Sequence, residues 1–341
     1  MTRTSPLLAG CLAFVLVAGC ETVGLNLEDL PAAPIAVTYW EGEEARRRAE
    51  LLQQEDKNLR QRRLGVAQVD ALRDLLGLNG QPDQLSRYPG RLSLVHPITG
   101  KVTPIAQAPR GALALAWSPD HDRLLFLSSH RQRIQVYEYT RSKESVRTVT
   151  YGERPHLFAD YGLGRQLALL QVASAGDRYV ERVFVTDPQG RSPRLLFEDR
   201  NAEAVRLSPD GKTLVYTRRS AGLSEGSQRP SGLVALNLAT GEERDLGPGR
   251  EPSFSREGDW IVYSAPSRDG WRLRRMRPDG SAKSPISAGI RDEMMPSVSP
   301  DGRFVVYVRE ETGQDRLFVR RMDGTGDRIL LDAGAVFAPV W

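Results

Sequence analysis

The stretch Leu207-Ser-Pro-Asp-Gly-Lys-Thr-Leu-Val-Tyr216 decides the fold, because its pattern recurs along the chain. An apolar residue precedes Ser-Pro-Asp-Gly or a decayed version of it, and a short β-prone run follows. The apolar anchor residues of the five copies are Trp117, Phe158, Leu207, Phe254 and Val298. They stand 41, 49, 47 and 44 positions apart. A period in the forties that is built from short strands is typical of a β-propeller.

Each repeat encodes two hairpins. In Ser-Pro-Asp-Gly, Pro sets the φ of the second turn position, Asp bonds nearby backbone, and Gly accepts a positive φ. The turn therefore reverses the chain between an innermost strand and a second strand. A second hairpin follows, as in the apolar run 233–238, the turn Ala-Thr-Gly-Glu and the run 243–246. Four strands per repeat predict one propeller blade.

Two half-repeats at the ends of the chain predict a sixth blade. Residues 336–341 match an innermost strand, and residues 35–40 match a second strand that has no first strand before it. We therefore predict an all-β, six-bladed β-propeller that is closed by pairing of these N- and C-terminal strands, with the outer hairpin 91–106. Such closure covers strand edges. The alternative is that 35–40 is a stray apolar run in a leader.

Residues 41–78 interrupt this blade and predict a small helical insertion within the propeller of residues 35–341. The part up to Leu64 mixes charges of both signs with strong helix formers, which indicates an exposed helix. A shorter amphipathic helix follows and ends at Gly77. The insertion joins the second and third strands, on the face that carries the connections between blades. It is either a partner-binding element or a cap on the propeller rim.

The first residues predict export. An apolar run at 7–17 follows Arg3 and precedes Val17-Ala-Gly-Cys20. The run is too short to span a bilayer of about 30 Å, and it has the layout of a secretory signal. The segment resembles a bacterial lipobox, which implies a signal peptide at 1–19 and an acylated Cys20 that anchors the chain to the membrane. An ordinary signal peptide is the alternative. Glu21 implies sorting to the outer membrane where the organism has one, and 20–34 is expected to be a tether.

Composition restricts the function classes. The net charge is +4, which is too small to indicate a nucleic-acid partner. With Cys11 removed and Cys20 acylated, no thiol remains for a disulfide, for thiolate catalysis or for a Cys-ligated metal. We therefore expect neither a cofactor nor a metal.

Catalytic motifs are scarce. Gly222-Leu-Ser-Glu-Gly226 matches the G-x-S-x-G pattern of hydrolases, but that site requires a His later in the chain. All four His residues precede it, at positions 96, 121, 130 and 156. His121 and His130 lie on one blade, either as a solvated pair or as a metal site. His156 and the loop carboxylates are the titratable candidates near the channel mouth.

An arginine recurs in the connections that enter the innermost strands. The residues concerned are Arg110, Arg154, Arg200, Arg250 and Arg291. Because these connections surround the central channel, the guanidinium groups are candidates for a ring that holds carboxylate or phosphate. The alternative is a set of solvated loops whose charge is neutralised by the neighbouring residues Glu153, Asp199, Glu251, Asp292 and Glu293.

Each complete Ser-Pro-Asp-Gly turn is followed by a strand with apolar residues and then Tyr. This repeat resembles that of TolB-type, WD40-like propellers, over about 91–341 and the strand 35–40. The resemblance implies an envelope protein that binds other proteins, such as a peptidoglycan-associated lipoprotein. This chain departs from the family by its own lipid anchor and by the helical insertion. We expect a non-enzymatic binding scaffold; the alternative is a periplasmic enzyme or receptor for a small or glycan ligand at the channel.

Overall fold

The computed structural model describes residues 24–47, 90–128, 134–175, 178–198, 201–219, 231–268, 270–287, 289, 291–311 and 314–341. Within these residues, 24 strands form six four-stranded antiparallel sheets. The predicted six-bladed β-propeller is therefore confirmed. Among the helices of the described residues, none is long and apolar enough to cross a membrane.

The first three blades follow one another along the chain. Blade 1 contains β4 (Leu113–Trp117), β5 (Arg123–Ser128), β6 (Gln135–Thr140) and β7 (Ser145–Thr148). Blade 2 contains β8 (His156–Tyr161), β9 (Leu167–Ala175), β10 (Arg178–Thr186) and β11 (Arg194–Glu198). Blade 3 contains β12 (Ala202–Leu207), β13 (Thr213–Arg218), β14 (Gly232–Asn237) and β15 (Glu243–Pro248).

The last three blades complete the ring. Blade 4 contains β16 (Arg250–Phe254), β17 (Ile261–Ser267), β18 (Gly270–Met276) and β19 (Ser284–Pro285). Blade 5 contains β20 (Glu293–Val298), β21 (Phe304–Glu311), β22 (Gln314–Arg321) and β23 (Arg328–Leu331). Blade 6 is composite and contains β24 (Ala335–Val340), β1 (Ile35–Trp40), β2 (Arg91–Val95) and β3 (Val102–Pro104).

The composite blade confirms the predicted closure. β1 pairs with β24 through Thr38 opposite Phe337 and Tyr39 opposite Val336, and it pairs with β2 on its other side. The closing strand begins and ends one residue earlier than the sequence predicts. Because the first strand comes from one end of the chain and the second from the other, no blade is left with an open inner edge.

The Ser-Pro-Asp-Gly turns have the chemistry that the sequence predicts. The Ser208 hydroxyl donates to Asp210 Oδ1 (2.6 Å) and accepts the backbone N–H of Thr213 (2.9 Å). Gly211 has a φ of +70°, which only glycine adopts without strain. Blades 1 and 5 repeat both serine bonds, whereas in blade 4 the Ser255 hydroxyl donates to Asp259, four residues further on, and accepts the N–H of Trp260. We call the propeller face that carries these turns the turn face, and the opposite face the inter-blade face.

Blade 2 corrects one detail of the repeat. Tyr161 pairs with Leu167 at the position where Trp117 pairs with Leu124, so Tyr161 occupies the anchor position and the prediction of Phe158 was wrong by three residues. The turn that follows is Gly162-Leu-Gly-Arg-Gln, closed by the N–H of Gly162 bonding the carbonyl of residue 166. Without Ser-Pro-Asp at this turn, the sequence had no local chemistry to mark where β8 ends.

The N-terminal segment is packed on the propeller from residue 24 onward. Leu25 and Leu30 are 3% and 4% exposed. The Leu25 carbonyl accepts from Arg328, and the Ala33 carbonyl accepts from the Trp341 indole N–H at 2.8 Å. Residues 24–34, which we call the strap, thus run along blade 5 on the turn face; they belong to the segment 20–34 that the sequence predicts as a tether. Residues 20–23 lie outside the described residues.

The helical insertion is described only at its beginning. Residues 42–47 are helical, and Ala45 is buried against Trp40 and Ala335. The first turn of the insertion is therefore packed on blade 6. Residues 48–78 of the predicted insertion lie outside the described residues.

Candidate functional site

The central channel opens on the turn face into a cavity of about 390 Å³. Its walls come from the ends of the innermost strands and from the turns that follow them. Aromatic side chains form much of the wall, from Trp117, Tyr161, Phe254 and Trp341. We call this space the turn-face cavity. Its volume lies in the range of small-ligand sites.

The floor of the turn-face cavity is Arg206. Its Nε donates to the Pro252 carbonyl (3.2 Å) of blade 4, and its Nη1 donates to the Leu115 carbonyl (3.1 Å) of blade 1. The same Nη1 lies 3.6 Å from Asp160 Oδ1 of blade 2, and the guanidinium stacks on Phe158 at 4.6 Å. One side chain from blade 3 therefore reaches three other blades and closes the channel from inside.

The Asp160 carboxylate is held beside this arginine in a dry environment. Its Oδ2 accepts the backbone N–H of Leu207 at 2.9 Å. Burial raises the pKa of Asp160 to about 6, although the Arg206 charge and the Leu207 N–H act in the opposite direction. Burial also lowers the pKa of Arg206. The pair is thus ionised at neutral pH at a cost in solvation that the two backbone carbonyls partly offset.

A β-bulge positions the floor. In all six blades the pairing of the innermost strand with the second strand shifts register once. In blade 3 the shift lies between Glu203 and Arg206, and Ala204 has a φ of +44°. Glu251, Met295 and Ala338 have similar positive φ values in their own bulges. Bulges of this kind re-aim side chains. Here they line a second cavity of about 30 Å³ that Arg206 also borders, and it has room for about one or two water molecules.

Two rim residues depart from the repeat. His121 stands where the turns of blades 3, 4 and 5 have glycine, and it has a φ of +53°. Its ring stacks on Trp117, with the centroids 5.9 Å apart. Arg256 is exposed at the rim and stands where the turns of blades 1, 3 and 5 have proline. Burial lowers the pKa of His121, and the Arg256 charge lowers it further, so the imidazole is neutral at pH 7.

The rim also carries an exposed apolar side chain. Leu163, in the turn of blade 2, is 62% exposed and lines the turn-face cavity. It is one of three exposed large hydrophobic side chains among the described residues, with Tyr151 at 75% and Leu195 at 49%. The mouth of the cavity therefore combines apolar, aromatic and cationic groups.

The arginines predicted from sequence lie elsewhere. Arg110 pairs with Glu44 of the helical insertion (2.9 Å), and Arg291 pairs with Glu311 (3.3 Å). Arg250 is 6% exposed, and its guanidinium lies 3.8 Å from the Trp271 ring centroid and 3.6 Å from Glu251. Arg154 is exposed, and Arg200 lies outside the described residues. None of the four described arginines lines the turn-face cavity.

Arg110 does meet the insertion in a cavity of about 500 Å³ at the inter-blade end of blade 6. Glu41, Glu44 and Arg91 line the same space. The Arg110–Glu44 ion pair thus joins an inter-blade arginine to the helical insertion, which are separate features in the sequence.

The other candidates from sequence are placed as follows. His156 is 4% exposed on β8, next to the Gln171 amide at 3.1 Å, and burial lowers its pKa to about 4. His130, the motif at 222–226 and Cys20 lie outside the described residues. Within the described part of the chain, no group of three or more His, Cys, Asp and Glu side chains is placed to hold a metal ion.

Sequence reasoning missed Arg206, Asp160, His121 and Arg256 as one group. A signal was available in the repeat itself. When the repeats are aligned on the turns, Asp160 and Arg206 stand at the channel position where blades 4 and 5 have Ser253 and Ser297. A charged residue at a repeat position where other blades have a small residue indicates a contact between neighbouring blades.

Comparison with known proteins supports the fold. No model of a known protein family matches the chain. An uncharacterized protein of Agrobacterium fabrum is 26% identical over 256 residues, which are 71% of this chain and 85% of that protein. A TolB homologue of Chlorobium luteolum is 30% identical over 124 residues, which are 35% of this chain and 26% of that protein.

Solved structures share the architecture. TolB from Acinetobacter baumannii has a TM-score of 0.62 at 19% identity, over 74% of this chain and 62% of that chain, so this chain spans less than two thirds of it. An oligogalacturonate lyase in complex with manganese has a TM-score of 0.50 at 12% identity, over 72% of this chain and 71% of that chain. The chain thus has a TolB-like propeller fold, and enzymes also use this fold.

Proposed function

We propose that this chain is a non-enzymatic binding scaffold of the bacterial cell envelope, anchored to the outer membrane by acyl groups on Cys20 and facing the periplasm. The observation that carries the proposal is the one-ended channel. Arg206 closes it from inside, and the turn-face cavity is lined by aromatic and cationic side chains. A concave site with a closed floor and an exposed apolar rim is suited to receive a segment of an envelope protein or a peptidoglycan-associated component.

The strap defines how the anchor relates to the propeller. Leu25 is buried in blade 5, five residues after Cys20. A chain of that length spans at most about 18 Å. The acyl groups would therefore hold the rim of blade 5 close to the membrane surface. Replacement of Cys20 by Ser should abolish fatty-acid labelling, and labelling that persists would refute the anchor.

The partner surface can be tested with a matched pair of positions in blade 2. Leu163 lies on the rim of the turn-face cavity and is 62% exposed, whereas Leu195 lies on the outermost strand and is 49% exposed. A photo-crosslinking amino acid at Leu163 of the anchored protein should capture an envelope partner that position 195 does not. Adducts of the same proteins from both positions, or none from Leu163, would contradict binding at this face.

A second candidate is a receptor or enzyme for a small or glycan ligand. The volume of the turn-face cavity, about 390 Å³, favours it, and the likeness to a lyase shows that the fold is compatible with catalysis. Turnover of a glycan or peptide by the purified chain, abolished by His121→Ala, would establish this alternative in place of the scaffold.

A further inference from the structure

The places where the repeat is broken converge on one cavity. His121 replaces a glycine whose equivalents Gly211 and Gly302 have φ values of +70° and +71°. A side chain in that left-handed region is strained. Arg256 replaces a proline that favours the turn. Both face the turn-face cavity, and both make the turn locally worse than its sister turns. Binding of a ligand is a reason for such residues to stand there.

The charged side chains of the cavity leave one positive charge in excess. Arg206 and Arg256 are cations, Asp160 is an anion, and His121 is neutral at pH 7. Because Arg206 is paired with Asp160, Arg256 is left as the lining side chain that can receive an anionic group. Arg256 is exposed at the rim, and its planar guanidinium matches a carboxylate by paired hydrogen bonds.

The apolar walls indicate what kind of chemical group carries the negative charge of the ligand. Trp117, Phe254 and Trp341 line the space below Arg256, and Leu163 extends it outward. Aromatic rings of this kind pack against flat or bulky apolar groups. From the charge and the walls together, we infer that the turn-face cavity binds a carboxylate carried on an apolar or aromatic group. This inference rests on the proposed binding function and names the ligand chemistry of its site.

A phosphate fits less well. A phosphate monoester carries nearly two negative charges at neutral pH, and the Asp160 carboxylate at the floor repels the second. The serine hydroxyls nearest the mouth are already committed to their turns, as Ser118 and Ser299 are to Asp120 and Asp301. At the mouth this leaves fewer hydroxyl donors for an anion, which favours a carboxylate over a phosphate.

Two sources supply such a group: the C-terminal residue of a peptide and a free small carboxylic acid. Three probes separate them. They are an N-acetylated pentapeptide that ends in Phe with a free carboxylate, the same pentapeptide as its C-terminal amide, and 3-phenylpropanoate. Binding is followed by calorimetry and by intrinsic fluorescence, because Trp117 and Trp341 line the cavity. The mature full-length protein in detergent is used.

Two variants restore the repeat and so separate binding from folding. His121→Gly and Arg256→Pro introduce the residues that sister turns already have, so the thermal midpoint should not fall. Arg256→Pro should weaken the acid by about 10- to 100-fold, the range for a lost charge-assisted hydrogen bond. Lys212→Gln is the control, because Lys212 is exposed on the same face but does not line the cavity.

We expect the acid peptide to bind at least tenfold more tightly than the amide, and Arg256→Pro to remove that difference while Lys212→Gln retains it. Binding of the acid peptide alone identifies a peptide terminus, and comparable binding of 3-phenylpropanoate identifies a small acid. Equal affinity for acid and amide, no binding of any probe at 10 mM, or no effect of Arg256→Pro would overturn the inference. If one of these contrary results is obtained while position 163 still crosslinks to an envelope partner, the scaffold function stands and only the carboxylate site fails.

Discussion

Replacing Trp341 tests how the ring of blades is closed. Trp341 follows the closing strand β24 and is 6% exposed. Its indole N–H donates to the Ala33 carbonyl of the strap (2.8 Å), and its backbone N–H donates to the Ser297 hydroxyl of blade 5 (2.9 Å). The ring packs in one cluster with Leu25 and Leu30. One residue thus joins blade 6, blade 5 and the strap, through its backbone N–H and its indole ring.

The expected cost follows from these contacts. Trp341→Ala removes a buried indole and leaves a cavity, which costs about 3 to 5 kcal/mol of unfolding free energy. Trp341→Phe keeps most of the apolar contact and loses the bond to Ala33, which costs about 1 kcal/mol because that carbonyl is only half-buried. Leu30→Ala combined with Trp341→Ala should cost less than the sum of the two, with a coupling of about 0.5 to 3 kcal/mol.

Urea unfolding followed by circular dichroism measures these values, provided that the slope of the transition is unchanged among the variants. Leu195→Ala is the control, since a side chain 49% exposed on an outer strand should change stability by less than about 0.5 kcal/mol. A loss below about 1 kcal/mol for Trp341→Ala, or strict additivity with Leu30→Ala, would show that the strap and closing strand do not pack as one unit.

Three further predictions concern buried charge. Glu293→Ala should cost about 1 to 3 kcal/mol in urea unfolding, because it removes a fully buried partner of Arg309 and Arg320 while Asp327 remains paired with both; a loss below about 0.5 kcal/mol would contradict it. Arg250→Glu should lower the thermal midpoint by several degrees, since Arg250 is buried against a tryptophan ring, whereas Arg154→Glu on the surface should not; equal effects would be the contrary result. His156 stays neutral when folded, so its stabilisation is complete above pH 6.5 and is lost as the pH falls toward 4, by about 3 kcal/mol in total. His156→Gln should remove that part of the pH slope, and an unchanged slope would refute the lowered pKa.

Much of the fold was accessible from sequence because the repeat carries its own turn chemistry. The bonds of Ser208 to Asp210 and Thr213 lie within one short segment, so they are visible in the order of residues. The composite blade was equally accessible, since residues 35–40 and 336–341 each match half of a repeat. Where that chemistry decays, as after Tyr161, the predicted position moved by three residues.

The strap was not predicted, for a physical reason. Leu25 and Leu30 become buried only because blade 5 offers a surface on the turn face. The Leu25 carbonyl accepts from Arg328 and the Asp29 carbonyl accepts from Arg303, both far along the chain. No local turn or periodic pattern in the sequence predicts contacts between residues that are so far apart in the chain. A short apolar and Pro-rich segment looks like a linker until the closed ring is present.

The candidate site shows the same division between local and long-range order. Loops between blades were the natural place to look for variation, because loops change without disturbing strands. In this chain Arg110 and Arg291 of those loops are paired with acidic residues, and Arg250 is buried. The unusual residues lie instead inside the repeat, at His121 and Arg256. The glycine and the proline that other blades have at these two positions would make the turns more stable.

A departure from the repeat indicates a function more strongly when it lowers the stability of the fold more. Exposed substitutions such as Lys212 in its turn change little and need no explanation. A histidine held at a φ of +53° and a buried Arg206–Asp160 pair across the channel both oppose the preferences of the positions they occupy. Both line the turn-face cavity, so one ligand bound there would offset both costs. That economy is why the turn face, rather than the inter-blade face, is the first surface on which binding should be sought.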